Sequence, residues 1–202
     1  MLRKITGIIV GLMITGSAMG WTISWDDQRY IAGGNDCQKD QTVFAIAAGE
    51  EISFIMTDLG TNLSGYAGGR TSERKHCNLV IPATVKQGWY LGKLTQRVHG
   101  GFVKSGRSEG KIAVSASFYN NRVRPLTIST KQWRSSSVPY FTKENATYFE
   151  VQPRYCLRDY RGLMRANLVV TGQRASIDDS IVIQADGYDV KFETIAQVFK
   201  CP

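Results

Sequence analysis

The stretch RKHCNLVIPATVKQGWYLGKLTQRVHGGF, residues 74–102, decides the fold of this chain. It contains two runs of aliphatic and aromatic residues separated by Pro82 and Gly88, and the double glycine Gly100-Gly101 follows the second run. Alternation of apolar and polar residues is typical of a strand buried on one side, and proline and glycine mark the ends of such strands. We therefore predict two β-strands here, the first ended by Pro82 and the second followed by a break at the double glycine.

The same alternation recurs on both sides of this stretch, most clearly in residues 51–57, 111–119 and 188–199. About nine or ten short strands, with almost no segment of period 3.6, predict an all-β protein folded as an antiparallel β-sandwich. The positions expected to face the interior are Cys77, Leu79, Ile81, Ile52, Phe54, Met56, Ile112, Val114, Ala116, Phe118, Tyr188, Val190, Phe192, Thr194, Ala196 and Val198.

Two segments depart from this pattern. In residues 154–165 the arginines recur every three or four positions, which predicts a single amphipathic helical turn. Residues 131–146 include three consecutive serines and Pro139, a composition typical of a linker. We expect this second segment to join the two halves of the chain.

The first 20 residues have the pattern of an export signal. Arg3 and Lys4 precede an apolar run over residues 5–14, and small residues follow up to Gly20. The apolar run is shorter than the roughly 20 residues that a membrane-spanning helix needs. A retained anchor is the alternative, but the pattern favours a cleaved signal peptide over residues 1–20.

Cleavage there would leave a polar N-terminal arm, residues 21–36, and a single β-sandwich domain, residues 37–201. The formal net charge falls from +8 to +6, because Arg3 and Lys4 leave with the signal. A positive charge of this size favours contact with anionic glycans, envelope components or protein partners, although it also simply keeps a protein in solution. We expect a secreted or periplasmic protein without a transmembrane anchor, and a nucleic-acid partner is disfavoured.

The four cysteines all follow the predicted signal, and none forms a CxxC pair. An even number of cysteines in an exported chain indicates disulfides over metal binding or redox chemistry. Of the three connectivities, we favour Cys37 with Cys77 and Cys156 with Cys201, which divides the chain into two halves. Each bridge would close a loop of about 40 residues and stabilise the fold by roughly 4 kcal/mol.

Several short motifs follow one another in a recognisable order along the chain: Gly34-Asn35-Asp36-Cys37, Arg74-Lys75-His76-Cys77-Asn78-Leu79, Gly88-Trp89-Tyr90, Gly100-Gly101-Phe102, and the pair Cys156 and Cys201. This order resembles that of the exported domain of unknown function 4360 family. The resemblance covers most of residues 34–201 and implies a small secreted β-protein with two disulfides and no assigned activity. Leu157, in place of a glycine, and the segment over residues 131–151 depart from the family pattern.

Two basic clusters are the best candidates for a binding surface. Arginine pairs with phosphate, sulfate or carboxylate through two parallel hydrogen bonds, and interleaved tyrosines stack on sugar rings or bases. The alternative is that these arginines are solvated or paired with nearby acids such as Asp159 and Glu73. The candidate anion-binding residues are Arg70, Arg74 and Lys75 in the first cluster, and Arg154, Tyr155, Arg158, Tyr160, Arg161 and Arg165 in the second.

The sequence contains no recognisable catalytic or cofactor-binding motif. We therefore expect a non-catalytic protein without a cofactor or a metal. Two alternatives stay open: a structural or assembly subunit of the cell envelope that exchanges edge strands, and a hydrolase of unfamiliar design. For a hydrolase, the candidate residues are Asp178, Asp179 and His99.

Overall fold

A computed structural model describes residues 22–35, 37–65, 69–119, 121–184 and 190–202 of the chain. Within them, thirteen strands form two antiparallel sheets, which confirms the predicted β-sandwich. The predicted signal peptide lies outside the described residues. The strands are β1 (Ile23–Trp25), β2 (Ile31–Gly33), β3 (Val43–Ala48), β4 (Glu51–Met56), β5 (Thr61–Leu63), β6 (Ser72–Val85), β7 (Trp89–Lys104), β8 (Glu109–Phe118), β9 (Asn121–Ser129), β10 (Ser137–Tyr148), β11 (Tyr160–Gln173), β12 (Ile181–Gln184) and β13 (Val190–Lys200).

Sheet I has the strand order β1-β6-β11-β8-β9, and β2 pairs with β6 beside β1. The long strand β11 lies at its centre and pairs with β6 on one side and β8 on the other. Residues 22–33 therefore contribute two short strands to one edge of this sheet. Because side chains alternate across a strand, β11 presents one set of side chains to the core and the other to the outer face.

Sheet II has the order β3-β4-β13-β7-β12-β5, with β10 also paired to β7. Strands β13 and β12 pair with successive parts of β7, and β10 runs along its other edge. Strand β13 is inserted between β4 and β7, which are far from it in sequence. Each sheet thus takes strands from the whole length of the chain.

The core lies between the two sheets and is filled by the alternating apolar residues. The inward positions predicted in β4 and β6 are buried, as are those of β8 with the exception of the half-buried Ala116. In β13 the residues Val190, Phe192, Thr194 and Ala196 are buried, and Val198 is half-buried. Burying a large aliphatic or aromatic side chain contributes about 1.5–3 kcal/mol, so this pattern supplies most of the stabilisation.

Strand β6 does not end at Pro82 but continues to Val85. The carbonyl of Pro82 accepts a hydrogen bond from the Asp26 N–H, at 2.9 Å. In an antiparallel ladder the N–H and C=O of one residue face the same neighbouring strand. The N–H that proline lacks would therefore have pointed towards Asp26, which follows the end of β1. Proline is tolerated at such an edge position, and the predicted strand end was wrong.

Strand β7 likewise runs through Gly100 and Gly101 without a break. Both glycines are buried, and each allows β10 to approach closely. A Cβ on Gly101 would lie 2.3 Å from the Pro139 carbonyl oxygen, and one on Gly100 would lie 3.0 Å from the Phe141 ring. The double glycine is therefore a packing requirement within a strand.

The other two expected interruptions are also absent. The helical turn predicted in residues 154–165 is replaced by a short 3₁₀ turn, Pro153–Tyr155, and by the first part of β11. Most of the expected joint over residues 131–146 belongs to β10, which pairs with β7 along its length. The segment therefore fixes an edge of sheet II instead of separating two halves.

Both predicted disulfides are present, Cys37–Cys77 and Cys156–Cys201. Cys77 lies on the inner face of β6 in sheet I, and Cys37 precedes β3 of sheet II. Cys156 precedes β11 of sheet I, and Cys201 follows β13 of sheet II. The first bridge thus holds the connection between β2 and β3 against β6, and the second holds the connection between β10 and β11 against the end of β13.

One loop region is organised by a buried cation, Arg174, which is 2% exposed. Its Nε donates to the Arg70 carbonyl at 2.8 Å, and one terminal nitrogen donates to the carbonyls of Gly65, Ile177 and Asp179 at 2.9, 2.9 and 3.3 Å. A single side chain therefore holds the segment before β6 against the segment before β12.

Candidate functional site

The outer face of sheet I carries a row of exposed arginines. Arg161 and Arg165 lie four residues apart on β11, so both point away from the core. Arg122 on β9 is exposed as well, and its backbone pairs with Ser117 of β8, the residue that also pairs with Arg165. Register therefore brings guanidinium groups from β9 and β11 to one side of the sheet.

Three grooves lie along this outer face, with volumes of about 750, 580 and 580 Å³. The first contains Arg161 and Arg165 together with Tyr119, and Asp26, Asp27 and Arg29 also line it. The second contains Arg122 and again Arg165, so this residue belongs to both. The third is lined by charged and polar residues that include Arg74, Lys111, Lys131, Glu73, Glu109 and Thr171.

Four arginines line the first two grooves, and one of them, Arg29, is paired with Asp26. The side chains of the other three are free of partners in the described part of the chain. Among the described residues no acid lies within ion-pairing distance of Arg122, Arg161 or Arg165. The acids suggested as local partners are occupied elsewhere: Asp159 accepts the Gln87 N–H, and Glu73 accepts the Asn62 N–H. The guanidinium groups are therefore available to an external anion.

Acidic side chains on the N-terminal side of the first groove are already engaged. Asp26 forms an ion pair with Arg29 at 2.7 Å. Asp27 accepts the backbone N–H of Ala47 at 3.2 Å. Arg29 offsets the charge of Asp26, so this carboxylate repels an incoming anion less, whereas Asp27 keeps its negative charge.

The first predicted cluster, Arg70, Arg74 and Lys75, does not form one patch. Arg74 is exposed on the outer face of sheet I, on the same side as Arg161 and Arg165. Lys75 points to the opposite side of β6, where its Nζ donates to the Asp58 carbonyl at 2.8 Å. Arg70 lies in the loop before β6, where its carbonyl accepts a hydrogen bond from Arg174.

The second cluster is also divided by the fold. Arg154 hydrogen-bonds Gln152 and lies over the Tyr155 ring, 4.8 Å from its centroid, while Arg158 is exposed in the loop before β11. Tyr160 is buried, and its ring stacks on Tyr155 with centroids 4.5 Å apart.

The predicted tyrosines therefore form a packed cluster instead of a stacking platform for a ligand. Tyr119 completes this cluster, with its ring centroid 4.8 Å from that of Tyr160 and 5.2 Å from that of Tyr155. Burial, and then the neighbouring phenols Tyr155 and Tyr119, raise the pKa of Tyr160 above its usual value. Tyr160 thus stays neutral and serves packing.

Several residues of the site, among them Arg122, Tyr119 and Lys111, were missed by sequence reasoning. Arg122 is close to Arg165 only through the pairing of β9 with β8 and of β8 with β11. The sequence did carry one signal, because Arg122 and Arg124 follow an alternating strand. Nothing in that pattern tells which face the arginines occupy.

On sheet II a separate polar network surrounds Glu193, whose side chain is 5% exposed. Its carboxylate binds His99 Nε2 at 2.9 Å, Arg97 at 3.4 Å and the ammonium of Lys191. The other ring nitrogen of His99 lies 2.6 Å from the Tyr140 hydroxyl and 3.0 Å from that of Thr142. His99 thus has protein partners on both ring nitrogens and ties β10 to β7 and β13.

The network perturbs the pKa of Glu193 strongly. Burial by itself would raise that pKa, but the hydrogen bonds and charge supplied by Lys191 and His99 outweigh burial and lower it to about 2 from 4.5. A carboxylate whose pKa is lower in the folded state than in the unfolded state stabilises the fold above the unfolded pKa. That stabilisation is lost as the pH falls from about 4.5 towards about 2.

We therefore expect Glu193→Gln to lower the free energy of unfolding by about 2–3 kcal/mol at pH 7 and by roughly half of that at pH 3, where the native carboxylate is still mostly ionised. Urea denaturation at both pH values measures this difference. The control is Glu144→Gln, which removes a more exposed carboxylate of the same network. An equal loss at both pH values would contradict the assignment of the shift to Glu193.

Among the described residues, no group of three or more histidine, cysteine or acidic side chains is placed to hold a metal ion. Asp179 serves the turn before β12, where its carboxylate accepts the Ser176 N–H at 3.3 Å. Of the three candidate hydrolase residues, His99 lies on the outer face of sheet II, whereas Asp178 and Asp179 lie in that turn. The structure does not bring these three residues together as one described cluster.

No described helix is long and apolar enough to cross a membrane. No family model matches the chain, and no curated protein matches its sequence. The resemblance to the domain of unknown function 4360 family therefore stays a prediction.

Three solved structures show distant likeness to the chain. TmCBM61 in complex with β-1,4-galactotriose has a TM-score of 0.29 and 13% identity, over 87% of this chain and 91% of that one. The enzymatically active domain of bacteriophage CBA120 tailspike protein 4 has a TM-score of 0.22 and 13% identity, over 86% and 19%. The GH31 α-xylosidase from Xanthomonas citri has a TM-score of 0.18 and 10% identity, over 73% and 20%. At such TM-scores no conclusion about the function of the chain follows.

Proposed function

We propose that this chain is a non-catalytic binding protein that holds an anionic polymer of the cell envelope on the outer face of sheet I. The observation that carries the proposal is a set of three exposed arginines, Arg122, Arg161 and Arg165, which have no ion-pair partner within the part of the chain that the structure describes and line two grooves that share Arg165. Two disulfides support a site of action outside the cytoplasm, because such bonds persist in oxidising compartments.

The expected strength of the contact follows from its exposure. A hydrogen bond to a charged group contributes about 1.5–3 kcal/mol where water is excluded, whereas an exposed ion pair contributes about 0.2–1 kcal/mol. The grooves are open, so the lower range applies with some gain from bidentate geometry. Two arginines together should then contribute about 1–2 kcal/mol, or roughly 5- to 30-fold in affinity.

The test is retention on a heparin column by the wild type and by Arg161→Ser/Arg165→Ser. We expect the double variant to elute at clearly lower salt, because the contact is ionic and is screened by salt. The control is Arg107→Ser/Arg134→Ser, which removes the same charge from exposed positions outside the three grooves. If both double variants lose retention equally, net charge explains the binding and the proposed face is wrong.

A further inference from the structure

The three grooves of sheet I lie in line along β11. The first and second share Arg165 and Ser117. The third groove lies four residues beyond the second on each of three neighbouring strands. Asn78, Ser115 and Asn167 lie side by side in the second groove, and Arg74, Lys111 and Thr171 lie side by side in the third. One row of paired residues, His76, Val169 and Ala113, separates the second groove from the third, so the three depressions follow one another along the outer face with a single interruption.

Positive charge marks both ends of this line. Arg161 pairs in register with Thr84 and Thr171 pairs with Arg74, so ten residues of β11 separate the two ends. At about 3.3 Å per residue this separation is roughly 33 Å. At the far end Arg74 has no ion-pair partner among the described residues, while Lys131 is paired with Glu109 at 2.8 Å.

Between Arg165 and Arg74, three uncharged polar side chains lie among the apolar residues of the second groove. Asn78, Ser115 and Asn167 line the second groove, and the Asn167 amide donates to the Asn78 side-chain oxygen. Amides and hydroxyls are suited to binding the hydroxyl groups of sugars, since each both donates and accepts hydrogen bonds. No aromatic residue lines the second or third groove among the described residues, so these grooves lack the rings on which nucleic-acid bases stack.

We infer that the ligand is a single linear acidic polysaccharide that lies along β11 and engages the arginines at both ends. This inference rests on the proposed function and adds the class and the minimum length of the ligand. When two sites are bound by one chain, the second contact is intramolecular, and the affinity rises steeply once the chain spans both sites. Affinity should therefore depend on chain length, with a threshold near the 33 Å span.

The experiment uses size-defined heparin oligosaccharides, one set shorter than half of this span and one longer than all of it, with binding measured by calorimetry. We expect the long set to bind the wild type at least tenfold more tightly than the short set. Arg74→Ser/Lys111→Ser should weaken the long set by at least fivefold and change the short set less than twofold. Arg161→Ser/Arg165→Ser should weaken both sets, and Arg107→Ser/Arg134→Ser neither.

Each failure has a separate meaning. Equal affinity for short and long oligosaccharides, or no effect of Arg74→Ser/Lys111→Ser on the long set, would overturn the spanning ligand but leave the proposed function in place. No effect of Arg161→Ser/Arg165→Ser would overturn the proposed function itself. Single-stranded oligothymidylate of the same contour length is the competitor, and binding as tight as that of the long oligosaccharide would overturn the polysaccharide class. Circular dichroism of every variant confirms that the fold is retained.

Discussion

Replacing Arg174 by methionine should lower the free energy of unfolding by about 3–5 kcal/mol. Methionine fills a similar volume, so little of this loss comes from packing. The loss comes from the four backbone carbonyls that accept hydrogen bonds from the guanidinium. Hydrogen bonds to a charged group contribute about 1.5–3 kcal/mol each, and a buried acceptor left without a partner costs about 1–3 kcal/mol.

A competing effect has to be weighed for this buried cation. Exchanging a buried ion pair for apolar residues is often neutral, because both desolvated charges disappear together. In this protein the acceptors are backbone carbonyls, which remain after the substitution. The loss of stability is therefore not cancelled in the way it is when both members of an ion pair are removed. Arg174→Lys should also lose about 2 kcal/mol or more, since a single ammonium cannot reproduce the fork that reaches both Arg70 and Ile177.

Urea denaturation of Arg174→Met at pH 7 provides the measurement. The matched control is Arg107→Met, the same exchange at an exposed position, for which we expect a change within about 0.5 kcal/mol. A loss of less than about 1 kcal/mol for Arg174→Met would show that the two loops are held by other contacts.

The second large effect is expected at the double glycine of β7. Gly101→Ala should cost about 2–3 kcal/mol, because the added Cβ meets the Pro139 carbonyl at 2.3 Å and backbone atoms of a paired strand must move. Gly100→Ala should cost less, since its nearest neighbour at 3.0 Å is the ring of Phe141, which can tilt.

The control for this series is Gly33→Ala, where nothing lies within 4 Å of the added Cβ. It should be close to neutral, which gives the order Gly101, Gly100, Gly33 for decreasing loss of thermal stability. Differential scanning calorimetry of the three variants tests that order. A neutral Gly101→Ala would mean that β10 adjusts freely and that its approach to β7 is not constrained.

The sequence predicts much of this fold because burial repeats every second residue in its longer strands. The inward positions of β4, β6 and most of β13 follow from that period alone. Strands β1, β2 and β5 have three residues each, too few for a period to be recognised. They raise the number of described strands to thirteen, above the nine or ten expected.

Local reasoning failed where a residue's role depends on a partner distant in sequence. A spacing of four residues fits a helix and also one face of a strand, so Arg161 and Arg165 could not distinguish the two by themselves. Proline and paired glycines end strands in most sequences. Here Pro82 needs no donor on the side where β1 has ended, and the two glycines are required by the close approach of β10, so both strands continue. Arg174 gave no signal at all, because its acceptors are backbone carbonyls of two loops.

Three arginines of the candidate site were identified from the sequence, but the layout of the site was not. Arg161, Arg165 and Arg74 do share one face, since an even separation in register keeps them on one side of sheet I. Lys75, Tyr155 and Tyr160 were assigned to binding because they are close in sequence, and the alternation of β6 and the packing of the tyrosines remove them from that face.

The position of β13 between β4 and β7 bears on how this polypeptide reaches its native state. Until residues 190–200 have been synthesised, the hydrogen-bonding groups of β4 and β7 that face each other have no strand between them and bind water instead. Pairings between segments so distant in sequence form slowly, because the intervening polypeptide must first be brought together. A nascent form of this molecule therefore completes sheet II only after β13 has been synthesised.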